Sequence, residues 1–270
     1  YYNCLRDVDR HMMKLIHSLE DTGQIDNTII FMISDHGEML GQQGARGKIV
    51  SWEESIRVPT LVYHPDLKDK KLCNSVISNI DIVPTLLEFT GLSKSELRDK
   101  HPELKGNSYA ELVENVNYDN VRDKEGHLIH GVQIIPTVFE VAEKFRHTAL
   151  ADGFLAKTKA FMSEGKFLPD FTPPLNYKGV VDKKHKFLRF FSPRQNNIPT
   201  NYDELTKYNA EYQLYDLEND PFEMNDLAKD ENNRDLLMSM NDKCNTLADK
   251  EIGLENHVIH LPGPDWFWTA

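Results

Sequence analysis

Cysteine is scarce in this chain, and the little there is argues against two kinds of scaffold. Cys4, Cys73 and Cys244 form an odd set with no clustered spacing. Neither a disulfide framework nor a zinc site is expected, and all three read as buried, unpaired thiols. Long apolar runs are absent. No stretch is long enough to cross a bilayer and no signal peptide is visible, so no membrane partner is expected. Asn-x-Ser/Thr sequons are also absent, which leaves no acceptor for N-linked sugar. Basic charge is in deficit, with 31 Lys and Arg against 43 Asp and Glu, for a net charge of -12. Nucleic-acid binders present a basic face, so that partner class is disfavoured. A small anionic substrate stays open, because a metal ion and a lysine reverse the field locally. The remainder is an ordinary globular composition over 270 residues, enough for one large or two modest domains at about 150 residues each. The chain opens into a helical pattern at Tyr1, not at a methionine, which reads as the inside of a longer protein.

What is present is organised around residues 27–44, NTIIFMISDHGEMLGQQG. The apolar and β-branched run 28–33 stops abruptly at Ser34-Asp35-His36-Gly37-Glu38. Such a run, bounded by turn residues, reads as a fully buried strand of a parallel sheet. In open α/β sheets ligands lie beyond the carboxyl ends of the strands. Asp35 and His36 stand at that place, and a carboxylate and an imidazole can ligate one metal ion together. On the dipeptide alone, a capping aspartate beside a solvated histidine is the simpler reading. The loop 35–51 holds Gly37, Gly41, Gly44 and Gly47, which allow backbone conformations closed to other residues.

Around this stretch the pattern alternates between helix and strand. Val8, Met12, Leu15, Ile16 and Leu19 recur at helical spacing, predicting an amphipathic helix over 5–21 stopped by Gly23. His11 and His17 fall on its surface. Residues 58–63 form the next buried strand, with Arg57 at its start paired to Glu53 or Glu54. Residues 75–80 read as a short strand, and Asp81 caps a helix holding Ile82, Val83, Leu86, Leu87 and Phe89, with Pro84 in its first turn and Gly91 after it. A short helix is expected over 109–114, a strand over 128–135 and a helix over 138–145; residues 149–176 read as a connection. A β-rich unit follows. Residues 179–181 and 186–191 flank Asp182-Lys183-Lys184-His185 as a hairpin, and 211–217 supply a third antiparallel strand. The cluster KKHK reads as a solvated turn. Leu236, Leu237, Met240, Cys244 and Leu247 line a helix over 232–251.

The ordered series SDHGE, GARGK with Lys48, WEESIRVPTLVYHP and IDIVPTLLEFTGL resembles the second half of the sulfatase family, within the alkaline phosphatase superfamily. The elements VVDKKHKFLRFFSP, YDLENDP and MNDLA resemble the carboxyl-terminal subdomain of bacterial arylsulfatases. The resemblance implies an α/β fold: a mainly parallel sheet flanked by helices, alkaline-phosphatase-like but partial, with a smaller carboxyl-terminal antiparallel sheet plus helix. Residues 1–150 would be the end of the α/β domain and 151–270 the small subdomain. It implies hydrolysis of a small-molecule sulfate monoester, with Asp35 and His36 as metal ligands and Lys48 as the catalytic and substrate-binding residue on a sulfate oxygen. Glu38 would support the loop.

The implied cofactors are a divalent metal ion, calcium first and manganese, magnesium or zinc as alternatives, and a formylglycine nucleophile in an amino-terminal part. The family's nucleophile context, C-x-P-x-R or S-x-P-x-R, does not occur here, and Cys4 in NCLRD does not fit it. The expected partners are therefore that amino-terminal part and, across an uncovered apolar sheet edge, a second copy of the chain. Two alternatives stay open. One is a phosphonate monoester or phosphodiester hydrolase of the same superfamily, to which a histidine in place of the family's frequent asparagine points. The other is a non-catalytic homologue acting as an interaction module.

Overall fold

A computed structural model describes residues 1–48, 50–67, 70–132, 176–191, 198–208 and 211–253. The apolar period at the amino terminus folds as helix α1 (Tyr2–Asp21), and Gly23 leaves it at φ +67°. No α1 side chain is buried. Leu5, Val8, Met13 and Leu15 are exposed, as is Cys4, so the amphipathic stripe has a helix but no complete cover.

Two short strands follow. β1 (Ile30–Met32) pairs with β2 (Leu61–Tyr63) in antiparallel register, Phe31 opposite Val62. The expectation of a mainly parallel sheet is corrected for this pair. Parallel neighbours need a crossover of a dozen or more residues, usually a helix. Between β1 and β2 the described residues form loops, a 3₁₀ turn and the single turn α2 (Glu53–Ile56), with no crossover helix of the usual length. Nor are the two apolar runs fully buried as expected: Ile30–Met32 is half-buried, and Leu61 and Tyr63 of β2 are exposed.

Residues 75–80 form no strand. Their backbone groups are taken by side chains: Val76 N–H donates to Asp123 Oδ1 at 2.7 Å, and Val76 C=O accepts from Asn120 Nδ2 at 2.6 Å. Such side-chain partners compete directly with a sheet ladder. Ser78 then opens a 3₁₀ turn that runs into α3 (Ile82–Phe89), with Pro84 buried in its first turn. Three short helices come next, α4 (Lys94–Lys100), α5 (Ala110–Glu114) and α6 (Val121–Glu125).

The second sheet holds the main core. β3 (His127–Val132), β4 (Asn176–Val181), β5 (His185–Phe190) and, after α7 (Tyr202–Tyr208), β6 (Glu211–Asp216) form an antiparallel meander in that spatial order. The sheet thus takes in a strand that precedes residue 150. The helix expected over 138–145, and all but the end of the connection 149–176, lie outside the described residues. Asp182 closes the β4–β5 hairpin, its Oδ1 accepting from the amides of Lys184 and His185 at 2.9 Å each.

Helix α8 (Arg234–Glu251) lies on one face of this sheet. Val180, Phe187, Leu214, Leu237, Met240, Cys244 and Leu247 interlock there; complete burial of a side chain such as Phe187 contributes about 1.5–3 kcal/mol. The opposite face carries Ile129, Tyr177, Val181, Leu188 and Phe190, and Ile56 of α2 packs on it. The strand period of two assigns side chains to these faces. It also buries Lys186 completely. Only the tip of the KKHK cluster is a solvated turn. Of the three expected buried thiols, only Cys244 is buried; Cys73, like Cys4, is exposed.

Two cations also lie in the α8 face. Lys178 and Arg189 are cross-strand partners, both essentially inaccessible. Arg189 donates to Asn241 Oδ1 at 2.7 Å, and Lys178 Nζ sits 5.2 Å from the Phe191 ring centre. Burial, reinforced by the Arg189 guanidinium, pushes Lys178 down from 10.5 to about 8. The folded chain therefore releases this proton before the unfolded chain does. Between those two values the unfolded state binds more protons, so stability rises with pH. Urea midpoints measured from pH 8 to 10.5 should rise more steeply for wild type than for Lys178→Met, and equal slopes would refute this.

Candidate functional site

The site is built where β1 runs out. Ser34 Oγ donates to the His36 carbonyl at 2.8 Å, and Asn79 Nδ2 donates to the Ser34 carbonyl at 3.0 Å. The chain after Met32 is thereby fixed from two sides. The His36 amide donates to Asp35 Oδ1 at 3.0 Å, which leaves Asp35 Oδ2 facing outward on a side chain that is 85% exposed.

Gly37 comes next, and its position admits no side chain. Its amide donates to the Ser55 carbonyl at 2.7 Å, and a Cβ here would lie 2.0 Å from the Glu54 carbonyl oxygen. Backbone on backbone at that distance cannot relax cheaply, so only glycine lets 34–38 dock on α2. The Gly37 carbonyl accepts from His36 Nδ1 at 2.8 Å. That bond sets the tautomer: Nδ1 carries the proton and Nε2 keeps its lone pair.

Lys48 reaches the same spot because the intervening loop closes on itself. Glu38 Oε1 accepts the Gly47 amide at 2.6 Å, and the Met39 amide donates to the Gly47 carbonyl at 2.9 Å. Gly41 donates to Ala45 at 2.9 Å inside that closure. With Gly47 held against Glu38 and Met39, the following residue returns over His36. The Lys48 ammonium then hydrogen-bonds His36 Nε2, while Asp35 Oδ2 lies 3.5 Å from the same nitrogen. Asp35, His36 and Lys48 therefore converge, and Glu38 serves the loop.

Other expectations meet different partners. Glu53 does not pair with Arg57. Its carboxylate takes Lys186 Nζ at 3.2 Å, and no ion pair of Arg57 is found among the described residues. Asp81 does more than begin a helix: both its oxygens are held by Arg122, at 2.6 Å each. Sequence reasoning missed Asn79, Lys186 and Glu223 as groups that hold the site's supports. The signal available was weak, a lysine at an inward position of a strand pattern and a glutamate in an acidic turn. Both residue types normally face solvent.

A sequence model of the sulfatase family matches residues 1–92. An arylsulfatase of Clostridium perfringens is 33% identical over 121 residues, 43% of this chain and 24% of its own length. A solved structure in complex with its substrate D-glucosamine-2-N,6-O-disulfate superposes at TM-score 0.62 and 18% identity, over 94% of this chain and 40% of that one. The phosphonate monoester hydrolase of Agrobacterium radiobacter superposes at TM-score 0.60 and 21% identity, over 91% of this chain and 40% of that one. The chain thus spans at most about a quarter of the curated relatives' length and about two fifths of these solved chains.

Proposed function

We propose, from the match of residues 1–92 to the sulfatase family model, that the chain supplies the metal-and-lysine side of a sulfate monoester hydrolase. The observation that carries the reading is the convergence of Asp35, His36 and Lys48 beyond β1. The donor set fits part of a divalent-ion shell: one outward carboxylate oxygen and one imidazole lone pair with its tautomer already fixed. Asp35 Oδ2 and His36 Nε2 would hold the ion. Bound there, it would polarise the sulfate and favour ionisation of the attacking group. No third His, Cys, Asp or Glu joins them among the described residues, and we assign the remaining ligands to the amino-terminal part. Calcium leads by family expectation, and the nitrogen ligand suits manganese or zinc.

Lys48 has two roles on this reading. One lone pair on Nε2 serves one partner at a time, so the Lys48 ammonium would be free of His36 if that nitrogen held the ion. Lys48 would then bind a sulfate oxygen and hold a proton near the leaving oxygen. The nucleophile, a formylglycine on the family pattern, is assigned to the amino-terminal part, since the chain contains neither C-x-P-x-R nor S-x-P-x-R. The same part would cover the exposed apolar residues of α1 and α3 and add the parallel strands beside β1. The substrate class is a small-molecule sulfate monoester, with a sulfated glucosamine the first candidate.

A second reading is a phosphonate monoester or phosphodiester hydrolase. His36, standing where sulfatases often carry asparagine, favours it. The chain should be expressed with and without its preceding coding segment, and both forms assayed on an aryl sulfate and an aryl phosphodiester with calcium or manganese. The expected result is sulfate turnover by the longer form alone. Robust turnover by residues 1–270 alone would overturn the division of the site. Preferred turnover of the phosphodiester would establish the second reading, and a longer form inert on both would leave an interaction module.

A further inference from the structure

We propose that Glu223 is a positioning residue for the His36–Lys48 site, acting through Lys186 and α2; the proposal rests on the reading of that site given above. Glu223 lies more than 170 positions from the site residues in sequence, in the acidic turn after β6. Its backbone is at φ +54°. Among the described residues the other two non-glycine positions at positive φ are Leu40 and Gln43, both in the loop that delivers Lys48. The two strained segments touch: Gln43 Nε2 donates to the Phe222 carbonyl at 2.7 Å. Strain of this kind persists only where surroundings over-determine it, and it concentrates at functional loops.

The connection beneath is made of buried charge. Lys186, 0% exposed, points from β5 to the face where Ile56 packs. Glu223 Oε1 lies 2.6 Å from Lys186 Nζ, and neither side chain reaches solvent. Lys186 also contacts Glu53 Oε1 at 3.2 Å. Glu223 Oε2 accepts the Glu53 amide at 2.7 Å, so one carboxylate holds both the strand lysine and the first residue of α2. Two residues on, the Ser55 carbonyl holds the Gly37 amide, and the Gly37 carbonyl holds His36 Nδ1. Each step is a single hydrogen bond or ion contact between buried or half-buried groups. A shift of Glu53 passes to Ser55, then to the Gly37 peptide, then to the imidazole that presents Nε2. Burial raises the Glu223 carboxyl above its ordinary value, and Lys186 opposes the rise.

A fold staple and a positioning residue differ in what they move. The test uses the full chain, ¹⁵N-labelled, with amide exchange at Gly37 and the ring ¹⁵N shifts of His36 as readouts. Amides of Val180 and Phe187 report the core. Glu223→Gln should speed exchange at Gly37 about tenfold, the equivalent of one hydrogen bond. It should also move His36 from a fixed Nδ1–H pattern toward averaged tautomers, with Val180 and Phe187 unchanged. The double variant Glu223→Leu/Lys186→Met leaves neither of those two charges buried alone, so its fold should survive. It should lose the His36 pattern all the same, because the Glu53 amide has no acceptor. A double variant that keeps wild-type Gly37 exchange and His36 shifts overturns the proposal. So does loss of protection at Val180 and Phe187 in step with Gly37. None of these readouts needs turnover, so an inert complete protein would sink the sulfatase reading and leave this result standing.

Discussion

Arg122→Met is expected to destabilise the chain by about 3–5 kcal/mol, the usual cost of removing one partner of a buried ion pair. Arg122 and Asp81 are 1% and 2% exposed at their side chains. The guanidinium grips both Asp81 oxygens at 2.6 Å and reaches Glu251 at 3.1 Å. Asp81 also accepts the amides of Asn107 and Ser78, at 2.7 and 2.9 Å. One arginine therefore ties the turn before α3 to α6 and to the last residue of α8. With Met in its place, the Asp81 carboxylate keeps its amides but loses its counter-charge. Glu251, whose carboxyl burial already raises, loses the opposing pull of Arg122. The double variant Asp81→Asn/Arg122→Met should recover part of the loss, because no lone charge remains at Asp81. Urea denaturation decides it: an Arg122→Met loss below about 1 kcal/mol would mean that water already reaches the pair.

Lys48→Ala in the complete protein is expected to lower kcat/KM for an aryl sulfate by about 10²–10³-fold, the scale of one removed electrostatic donor. Asp35→Ala should fall at least as far and should weaken metal binding. Neither substitution should change stability by more than about 0.5 kcal/mol, since both side chains are exposed and lie outside the core. That contrast separates the two buried-charge positions from the two chemical ones: Arg122 moves stability, Lys48 moves rate. The measurement is steady-state kinetics beside a denaturation curve for the same preparation. Lys48→Ala within threefold of wild type would remove the lysine from the chemistry. A parallel fall in stability would mean that the 38–47 closure depends on the lysine it delivers.

Several elements could be read from local sequence, because their determinants are local. The 3.6-residue period and Gly23 define α1. Pro84 in the first turn and Gly91 past the end mark α3, and Asp182 closes the β4–β5 hairpin. The order SDHGE then GARGK marked Asp35, His36 and Lys48 as one group. Local pattern does not carry pairing direction or partner choice. Nothing in the run 28–33 says that its neighbour will be antiparallel. Nothing in 75–80 says that Asn120 and Asp123 will take the backbone bonds a strand would have used.

The site itself was legible as residue types and not as a geometry. Lys48 meets His36 because Glu38 and Met39 clasp Gly47, and His36 presents Nε2 because Gly37 docks on Ser55. Lys186 and Glu223 read as solvated charges until β5 turns one inward and the acidic turn lays the other against it. Sequence by itself determined which residues are candidates for chemistry and which short segments curl or extend, since backbone propensity and capping act within a few positions. Tertiary structure alone decided which charges are buried together and which loops touch. Those outcomes depend on contacts between residues up to about 180 positions apart, and their energy exists only once the intervening chain has folded.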